Sequence, residues 1–468
     1  SRRAGQVACM PAKFVNIDRD TPLLLPPDLR DWVEPGHMVH FIIDAVDALD
    51  LGAARVNVRG TGSAQYPPSM MLALLIYSCA TGTFSSRRIE RQAYENVAVR
   101  LLCGDTHPDH DSICKFRREN GGLLAGVFHQ VLELAAGARV LKVGDLTVAF
   151  DGTKLLANAS KHSAMSHGHV EKQMRLAGEQ IGELLAKAEE ADSAPLREGL
   201  SIPDEIKRRE DRIARLEEAK RAMEERARAR FEAERAEYGA RLAAREAKER
   251  EGGRKSRGRK PKPPEEGPGS KDQYNFTDPE SRIMKDGGGF EQCCNAQAGV
   301  EVGTMLVVGR HVCDAPNDKG RLAPALGAAG PAAGSVSSAL VDSGFFGEKA
   351  VAAVERGGEG PTVHAAMGRQ GRGRSVRQLE ERPDPPAPPD GASVSEVMAH
   401  RLETKAGRDL YALRKQTVEP VFGIIKEAMG FRRFTMRGLE KAGLEWTLAT
   451  TAYNLRRLFN LGAKLARA

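Results

Sequence analysis

Dense apolar positions and basic segments alternate along the first part of the chain. Residues 36–49 and 68–77 carry apolar residues closely enough to bury whole helices. Residues 85–92 and 114–119 have helical character too, but they expose several arginines and lysines. The pattern therefore predicts a helical N-terminal domain, residues 1–135, with one basic side.

After this region the apolar positions fall into short runs bounded by glycine or aspartate, which is typical of strands. The runs predicted as strands cover residues 146–150, 290–301, 304–313, 336–341 and 361–366, and residues 347–354 are predicted as a helix. Gly303 supplies the turn between the second and third runs. Strands and helices in this order predict an α/β protein with a mixed sheet.

Between the first two predicted strands the composition changes to a long, charged segment. Apolar residues recur there every three or four positions, at Val170, Met174, Ala177, Ile181, Leu184 and Ala188, and less regularly at Ile206, Ile213, Leu216 and Met223. This spacing predicts a helical hairpin or coiled coil within residues 163–272, followed by a basic linker over 251–270. Two interpretations are open, a solvated spacer and an arm for dimerisation or DNA clamping.

Three carboxylates lie where a divalent cation could use them. Asp151 and Asp342 each follow a predicted strand directly, and Gly152 predicts a tight turn after the first. Glu419 lies far along the chain, among basic residues and near Tyr411. Because ligands gather where the strands of α/β sheets end, we expect the three acids to meet at one rim. Grouped carboxylates of this kind hold the divalent ions that promote phosphodiester chemistry.

Several blocks of the sequence, in this order, resemble the DDE transposases of bacterial insertion sequences. The blocks are residues 151–162, 275–285, 341–345, 417–426 and 429–434. They are similar to the insertion-sequence-four-like superfamily, in which a Tyr, Arg, Glu, Lys pattern surrounds the catalytic Glu. The resemblance implies a ribonuclease-H-like mixed-sheet catalytic core, with a helical N-terminal DNA-binding domain and a helical coiled-coil insertion.

The resemblance also implies a reaction and its site. Asp151, Asp342 and Glu419 would be the catalytic residues and the ligands of two Mg²⁺ ions, for which Mn²⁺ can substitute. The enzyme would cut double-stranded DNA at the terminal repeats of its element and join the ends to target DNA. The implied oligomer is a homodimer on DNA.

Supporting residues are implied around these acids. Phosphates would be held by basic side chains, and an aromatic side chain would stack or hydrogen-bond near the scissile strand. The residues are Lys154, Lys161, Lys415 and Lys426 for the phosphates, Tyr411 as the aromatic, and Arg414 as a further basic candidate.

The basic partner of Glu419 is the point where the chain departs from the superfamily pattern. That pattern has three residues between Arg and Glu, whereas four residues separate Arg414 from Glu419, and Lys415 has the expected offset. On an unbroken helix Tyr411, Lys415 and Glu419 share one face, and Arg414 points away from it. The spacing therefore favours Lys415, with Arg414 as the second candidate.

Pro420 leaves the local geometry open. Its ring and missing amide hydrogen disfavour the interior of a helix. Either the helix is kinked there, or a new helix begins with Thr417 as its N-cap and Pro420 in the first turn.

Composition limits the class of protein and leaves two other functions open. The formal net charge of +7 suits a polyanionic partner, although 70 basic and 63 acidic residues make a mixed surface. No apolar run approaches the roughly 20 residues of a membrane span, and seven cysteines indicate reduced thiols. We expect a cytoplasmic, nucleoid-associated protein with no membrane partner. The alternatives are a transposase-derived DNA-binding protein without chemistry and a coiled-coil interaction protein.

The predicted boundaries follow from these assignments. After the N-terminal domain, the catalytic core is divided by the helical insertion and by a proline-rich and glycine-rich loop. The segments are 136–162 with Asp151, 163–272 as the insertion and linker, 273–368 with Asp342, 369–392 as the loop, and 393–468 with Glu419 and the C-terminal helices.

Overall fold

The computed structural model describes residues 13–18, 28–58, 64–142, 144–191, 201–252, 260–318, 320–327, 334–355, 360–367 and 383–465. These residues form eight strands and thirteen α-helices. The chain divides into two units. The first comprises residues 1–158, 284–288 and 293–468, and the second comprises residues 159–283 and 289–292.

The strands of both units are, in chain order, β1 (Leu146–Leu156), β2 (Ala164–Ser166), β3 (Gln273–Asn275), β4 (Arg282–Asp286), β5 (Gly289–Glu301), β6 (Val307–Cys313), β7 (Val336–Val341) and β8 (Thr362–Ala365). Six of them form one mixed sheet in the order β4-β5-β1-β7-β8, with β6 also paired to β5. β1 is antiparallel to β5 and parallel to β7, and β7 is parallel to β8. The α/β prediction with a mixed sheet is confirmed.

The tight turn predicted after Asp151 is wrong. β1 continues through Gly152 to Leu156, because β5 keeps pairing with it from Val148 opposite Glu301 to Leu156 opposite Cys293. The parallel partner β7 ends earlier, since its last paired residue, Val341, lies opposite Phe150. Asp151 is therefore the first residue of β1 beyond the end of β7.

The helices, in chain order, are α1 (Met38–Asp47), α2 (Pro68–Ala80), α3 (Ser86–Glu95), α4 (Val97–Leu102), α5 (His110–Glu119), α6 (Gly121–Gly137), α7 (His167–Ala191), α8 (Ile202–Gly252), α9 (Leu322–Gly327), α10 (Glu348–Glu355), α11 (Val394–Glu403), α12 (Lys405–Gly423) and α13 (Leu439–Asn460). Short 3₁₀ helices cover Leu29–Trp32 and Lys161–Ser163, and a π-helical turn, Ile424–Ala428, follows α12.

The core of the first unit is built around α13, which is buried along most of its length. It packs against α1, α2 and α6 and against β6. Trp446 and Tyr453 are fully buried, and the Trp446 indole donates to the Gln297 carbonyl at 2.9 Å. Asn454 joins α13 to β6, because its amide pairs with both backbone groups of Val307. The predicted N-terminal helices thus pack on the C-terminal helix.

The second unit contains the predicted helical hairpin. Helices α7 and α8 pack on each other, and β2 pairs with β3 at their base. Its core is formed by Val170, Leu216, Ala219, Met223 and Tyr274. Of the predicted seam, Val170, Ala177, Leu216 and Met223 are buried, and Leu184 is partly exposed. Most of the predicted basic run 254–262 and of the predicted loop 369–392 lies outside the described residues. Among the described helices, none is long and apolar enough to cross a membrane.

Candidate active site at the strand ends

Two aspartates leave neighbouring parallel strands at the same level. Phe150 of β1 and Val341 of β7 are register partners, so the next residues are Asp151, still on β1, and Asp342, directly after the end of β7. The Asp151 carboxylate accepts a hydrogen bond from the Gly152 amide at 2.8 Å, and Asp342 accepts one from the Gly344 amide. The parallel ladder therefore brings Asp151 and Asp342 to neighbouring strand ends, where the charge of Asp342 acts on Asp151.

Helix α12 brings a guanidinium and the third acid to this point. Arg414 Nη1 lies 3.0 Å from Asp151 Oδ2, and Arg414 Nη2 lies 4.0 Å from Glu419 Oε1. The Arg414 side chain is 9% exposed, whereas that of Glu419 is 55% exposed. Arg414 is therefore held between a half-buried aspartate and a glutamate at the surface.

The expectation that Lys415 is the near basic partner and that Arg414 points away is wrong. Arg414 is buried with Thr417, Val418 and Val421, whereas Lys415 is exposed. These four buried residues have the i, i+3, i+4, i+7 spacing of the face with which a helix packs. Because this face lies against β1, it carries Arg414 to Asp151. The Thr417, Val418 and Val421 stripe was the sequence signal for this orientation.

Pro420 lies inside α12, which continues to Gly423. Thr417 is not an N-cap, because its hydroxyl donates to the Leu413 carbonyl at 2.7 Å, one turn back in the same helix. The π-helical turn that follows contains Lys426, whose Nζ donates to the Lys154 carbonyl of β1 at 2.8 Å. The helix therefore spans the proline without a fresh start, and Lys426 ties its end to the strand of Asp151.

The other predicted residues differ in their surroundings. The Tyr411 hydroxyl donates to the Val341 carbonyl at 3.1 Å, at the end of β7. Lys154 is half-buried on β1. Lys161 belongs to the second unit, where it forms an ion pair with Glu291 at 2.7 Å. Tyr411, Lys154 and Lys426 thus lie on elements of the site, and Lys161 is described only within its own unit.

Burial sets the protonation behaviour of the site. It raises the pKa of Asp151, although the Gly152 amide and then Arg414 act in the opposite direction. The charges of Asp342 and of a further aspartate, Asp318, add to the rise in that pKa. Burial also raises the pKa of Tyr411 and lowers that of Lys426. An added positive charge near Asp151 would favour its ionised form.

Asp318 was missed by the sequence reasoning. It lies in the loop after β6, and its Oδ1 accepts hydrogen bonds from Asn295 Nδ2 at 2.9 Å and Gln297 Nε2 at 2.8 Å. Both amides are on β5 and are at most 2% exposed. Asn295 and Gln297, two residues apart in the buried stretch of β5, were the available signal, because buried amides need polar partners.

The donor chemistry fits a hard divalent cation. Asp151, Asp342 and Glu419 offer carboxylate oxygens, which Mg²⁺ and Mn²⁺ prefer. Within the described residues, no three or more acidic, histidine or cysteine side chains stand close enough together to hold one ion. The two strand-end aspartates and Glu419 therefore supply suitable ligands, but they do not form a closed ion site in the chain alone.

Comparisons with known families match both ends of the first unit. Residues 27–119, which contain α1 to α5, match a model described as a transposase domain, DUF772. Residues 388–459, which contain α12 and most of α13, match a model described as a transposase DDE domain. Neither the curated proteins nor the solved structures contain a match to the chain.

These matches support a DDE transposase that acts on DNA. The DDE domain implies a ribonuclease-H-like core, and the mixed sheet with its flanking helices confirms the predicted fold class. DDE transposase domains generally use divalent metal ions. The second match includes Glu419 and Arg414, whereas Asp151 and Asp342 lie outside both matched ranges.

Proposed function

We propose that the chain binds the terminal repeats of an insertion sequence and catalyses metal-dependent DNA strand cleavage and strand transfer. One observation carries this proposal. Asp151 and Asp342 follow register partners of adjacent parallel strands, and Arg414 links Asp151 to the helix that carries Glu419. That helix lies within the range that matches a transposase DDE domain.

In this proposal Asp151, Asp342 and Glu419 hold two Mg²⁺ ions, or Mn²⁺ in their place. Such ions supply activation of a water or a DNA 3′-hydroxyl and stabilisation of the leaving oxygen at phosphorus. The chain contributes by fixing where the ligands are. Asp151 and Asp342 are set by the strand ladder, and Arg414 orients Asp151 through its 3.0 Å contact.

Some supporting residues already make hydrogen bonds within the chain, whereas others are candidates for contact with DNA. Lys426 Nζ is engaged by the Lys154 carbonyl, so we assign it to the position of α12 against β1. Lys415 is exposed on α12, which suits contact with a DNA phosphate as a point charge. Tyr411 holds the end of β7 through the Val341 carbonyl. Lys154 and Lys161 remain candidates for phosphate contact.

Three finer features belong to the same proposal. The chain would belong to the superfamily with the Tyr, Arg, Glu, Lys pattern, with Tyr411, Arg414, Glu419 and Lys426 in those places. The helical region that matches the transposase domain model would bind the element's ends. Two copies would act together on DNA, because cutting both ends and joining them to one target needs two sites.

The test is cleavage of end-labelled DNA that carries the element's terminal repeats, with Mg²⁺ or Mn²⁺. Asp151→Asn, Asp342→Asn and Glu419→Gln should each abolish cutting while DNA binding is retained. Glu427→Gln is the matched control, because Glu427 is exposed on the π-helical turn and pairs with Arg432. Equal loss of cutting in this control would contradict the assignment.

A second candidate is a DNA-binding protein derived from a transposase that no longer cuts. It is favoured by the exposure of Glu419 and by the lack of a closed ion site among the described residues. Wild-type protein that binds the repeats but cuts them with neither metal would support it. The coiled-coil alternative leaves both family matches unexplained.

A further inference from the structure

Asp318 approaches the site from the loop between β6 and α9. Its two amide donors, Asn295 and Gln297, lie opposite Lys154 and Gly152 in the β1–β5 ladder. The donors therefore stand beside the part of β1 that immediately follows Asp151. A carboxylate bound by two buried amides has little freedom to move, because both amides are fixed on β5.

Two glycines that follow the site aspartates show how close Asp318 lies to Asp151 and Asp342. A Cβ atom on Gly152 would lie 2.7 Å from Asp318 Oδ1 and 2.6 Å from Asn295 Oδ1. A Cβ on Gly344 would lie 3.8 Å from the Cβ of Asp318 and 3.0 Å from Asp342 Oδ1. Asp318 thus fills the space that a side chain at position 152 would need, and it lies near the loop that follows Asp342. Gly152 is needed here for space rather than for a turn.

The charge at this point is unbalanced. We call Asp151, Asp318 and Asp342 the strand-end acids. Arg414 pairs with Asp151, but within the described part of the chain no lysine or arginine pairs with Asp318 or Asp342. The oxygens of the buried Asn295 and Gln297 amides also have no hydrogen-bond partner there. Negative charge and unsatisfied oxygens together favour a cation nearby.

We propose that Asp318 is a positioning residue that acts with the two site aspartates, holding the strand ends together and strengthening divalent-cation binding through its charge. This inference rests on the proposed metal-dependent function. Asp318 binds Asn295 and Gln297, and its Oδ1 lies where a Cβ at position 152 would meet it. Its role is thus to keep a third negative charge at a fixed place behind the ligands.

The test measures Mn²⁺ binding to the full chain without DNA, by electron paramagnetic resonance of the free ion. Asp318→Asn keeps a side chain of the same shape but removes the charge, and it should weaken Mn²⁺ affinity by roughly 3- to 30-fold, as expected for one nearby charge in a partly solvated site. Asp314→Asn removes the same charge from the same loop. Asp314 is not among the groups that shift the pKa of Asp151, so this control should bind Mn²⁺ like wild type.

Thermal unfolding separates this role from a structural one. In EDTA, Asp318→Asn should unfold at or above the wild-type temperature, because like charges no longer repel, and Mn²⁺ should raise that temperature less than in wild type. A lowered unfolding temperature in EDTA with an unchanged Mn²⁺ response would overturn the proposal. Equal Mn²⁺ affinities in wild type and Asp318→Asn would overturn it too, while the proposed function would stand.

A second variant displaces the Asp318 carboxylate and leaves every charge in the chain unchanged. Gly152→Ala places its Cβ against Asp318 Oδ1 and Asn295 Oδ1, and should also weaken Mn²⁺ binding. If Asp318→Asn does not fold, this variant decides the proposal, and unchanged affinity would refute it. Wild-type protein that binds no Mn²⁺ and cuts no DNA would remove the proposed function and this inference together.

Discussion

The two sides of the candidate site are held by different means. On the sheet side, Asp151 and Asp342 are positioned by a hydrogen-bonded ladder whose register is set by several residues on each strand. On the helix side, Glu419 is 55% exposed, and among the described residues its one ionic contact is with Arg414, at 4.0 Å. The ladder fixes the aspartates before any ligand arrives, whereas a long, exposed glutamate keeps most of its rotamers.

Arg414 is the side chain that joins these two sides. Its burial differs sharply from the exposure of its neighbour Lys415, although both are basic and adjacent in the chain. Orientation against the sheet, rather than charge, therefore decides which of the two basic residues reaches the site. Each of the following predictions alters one side of the site, or the link between the two.

The largest effect is expected from Arg414→Met, which breaks the link. Removal of one partner from a buried ion pair costs about 3 to 5 kcal/mol. Loss of an oriented charge at a reacting centre lowers rates by about 100-fold or more. The rate of DNA cleavage and the thermal unfolding temperature should therefore both fall.

Lys415→Met is the matched control for this variant, because it removes the next basic residue from the solvent side of α12. It should keep wild-type stability and weaken DNA binding only slightly, since one exposed phosphate contact contributes little. Equal damage from both substitutions would show that the contact between Arg414 and Asp151 is not what links helix and sheet.

A smaller effect is expected when the sheet side is weakened by acid. His364 of β8 lies opposite Leu340 of β7, the strand that leads to Asp342. Burial, and then the charge of Arg401, lower the pKa of His364 to about 4, while Glu355 acts in the opposite direction. The folded state therefore prefers the neutral ring. Its contribution to stability is fully present above pH 6.5 and is lost as the pH falls toward 4, because the unfolded chain takes up the proton first.

Between pH 7 and pH 5 this single group should lower the free energy of unfolding by about 2 kcal/mol. His364→Gln has no titrating ring, so its stability should fall less over the same range. Chemical denaturation of both proteins at the two pH values measures the difference. If both lose the same free energy, the titration of His364 does not control the stability of β8.

The smallest effect is expected from Tyr411→Phe. This change removes the hydrogen bond from α12 to the Val341 carbonyl and should cost about 1 kcal/mol of stability, with a few-fold loss of cleavage. Tyr94→Phe is a suitable control, since Tyr94 is 58% exposed on α3. A stability loss in this control as large as that of Tyr411→Phe would argue that the Val341 contact does not tie the helix to the sheet.

Much of the fold could be predicted from local pattern. The strands β5, β6, β7 and β8 and the helix α10 were expected within a few residues of their bounds, because their apolar runs end at glycine, aspartate or proline. The hairpin of α7 and α8 followed from its apolar spacing in the same way. The turn after Asp151 failed because Gly152 has a spatial role that depends on β5 and Asp318.

The local sequence is enough to predict that aspartates stand at the strand ends, since Asp151 and Asp342 directly follow apolar runs and parallel strands end at one edge. The other contacts of the site depend on how distant segments pack. Arg414 rather than Lys415 meets Asp151 because α12 turns its Thr417, Val418 and Val421 face to β1. Asp318 joins the site because Asn295 and Gln297 draw a distant loop onto it. Contacts between segments far apart in the chain depend on packing and burial, and no local pattern encodes them.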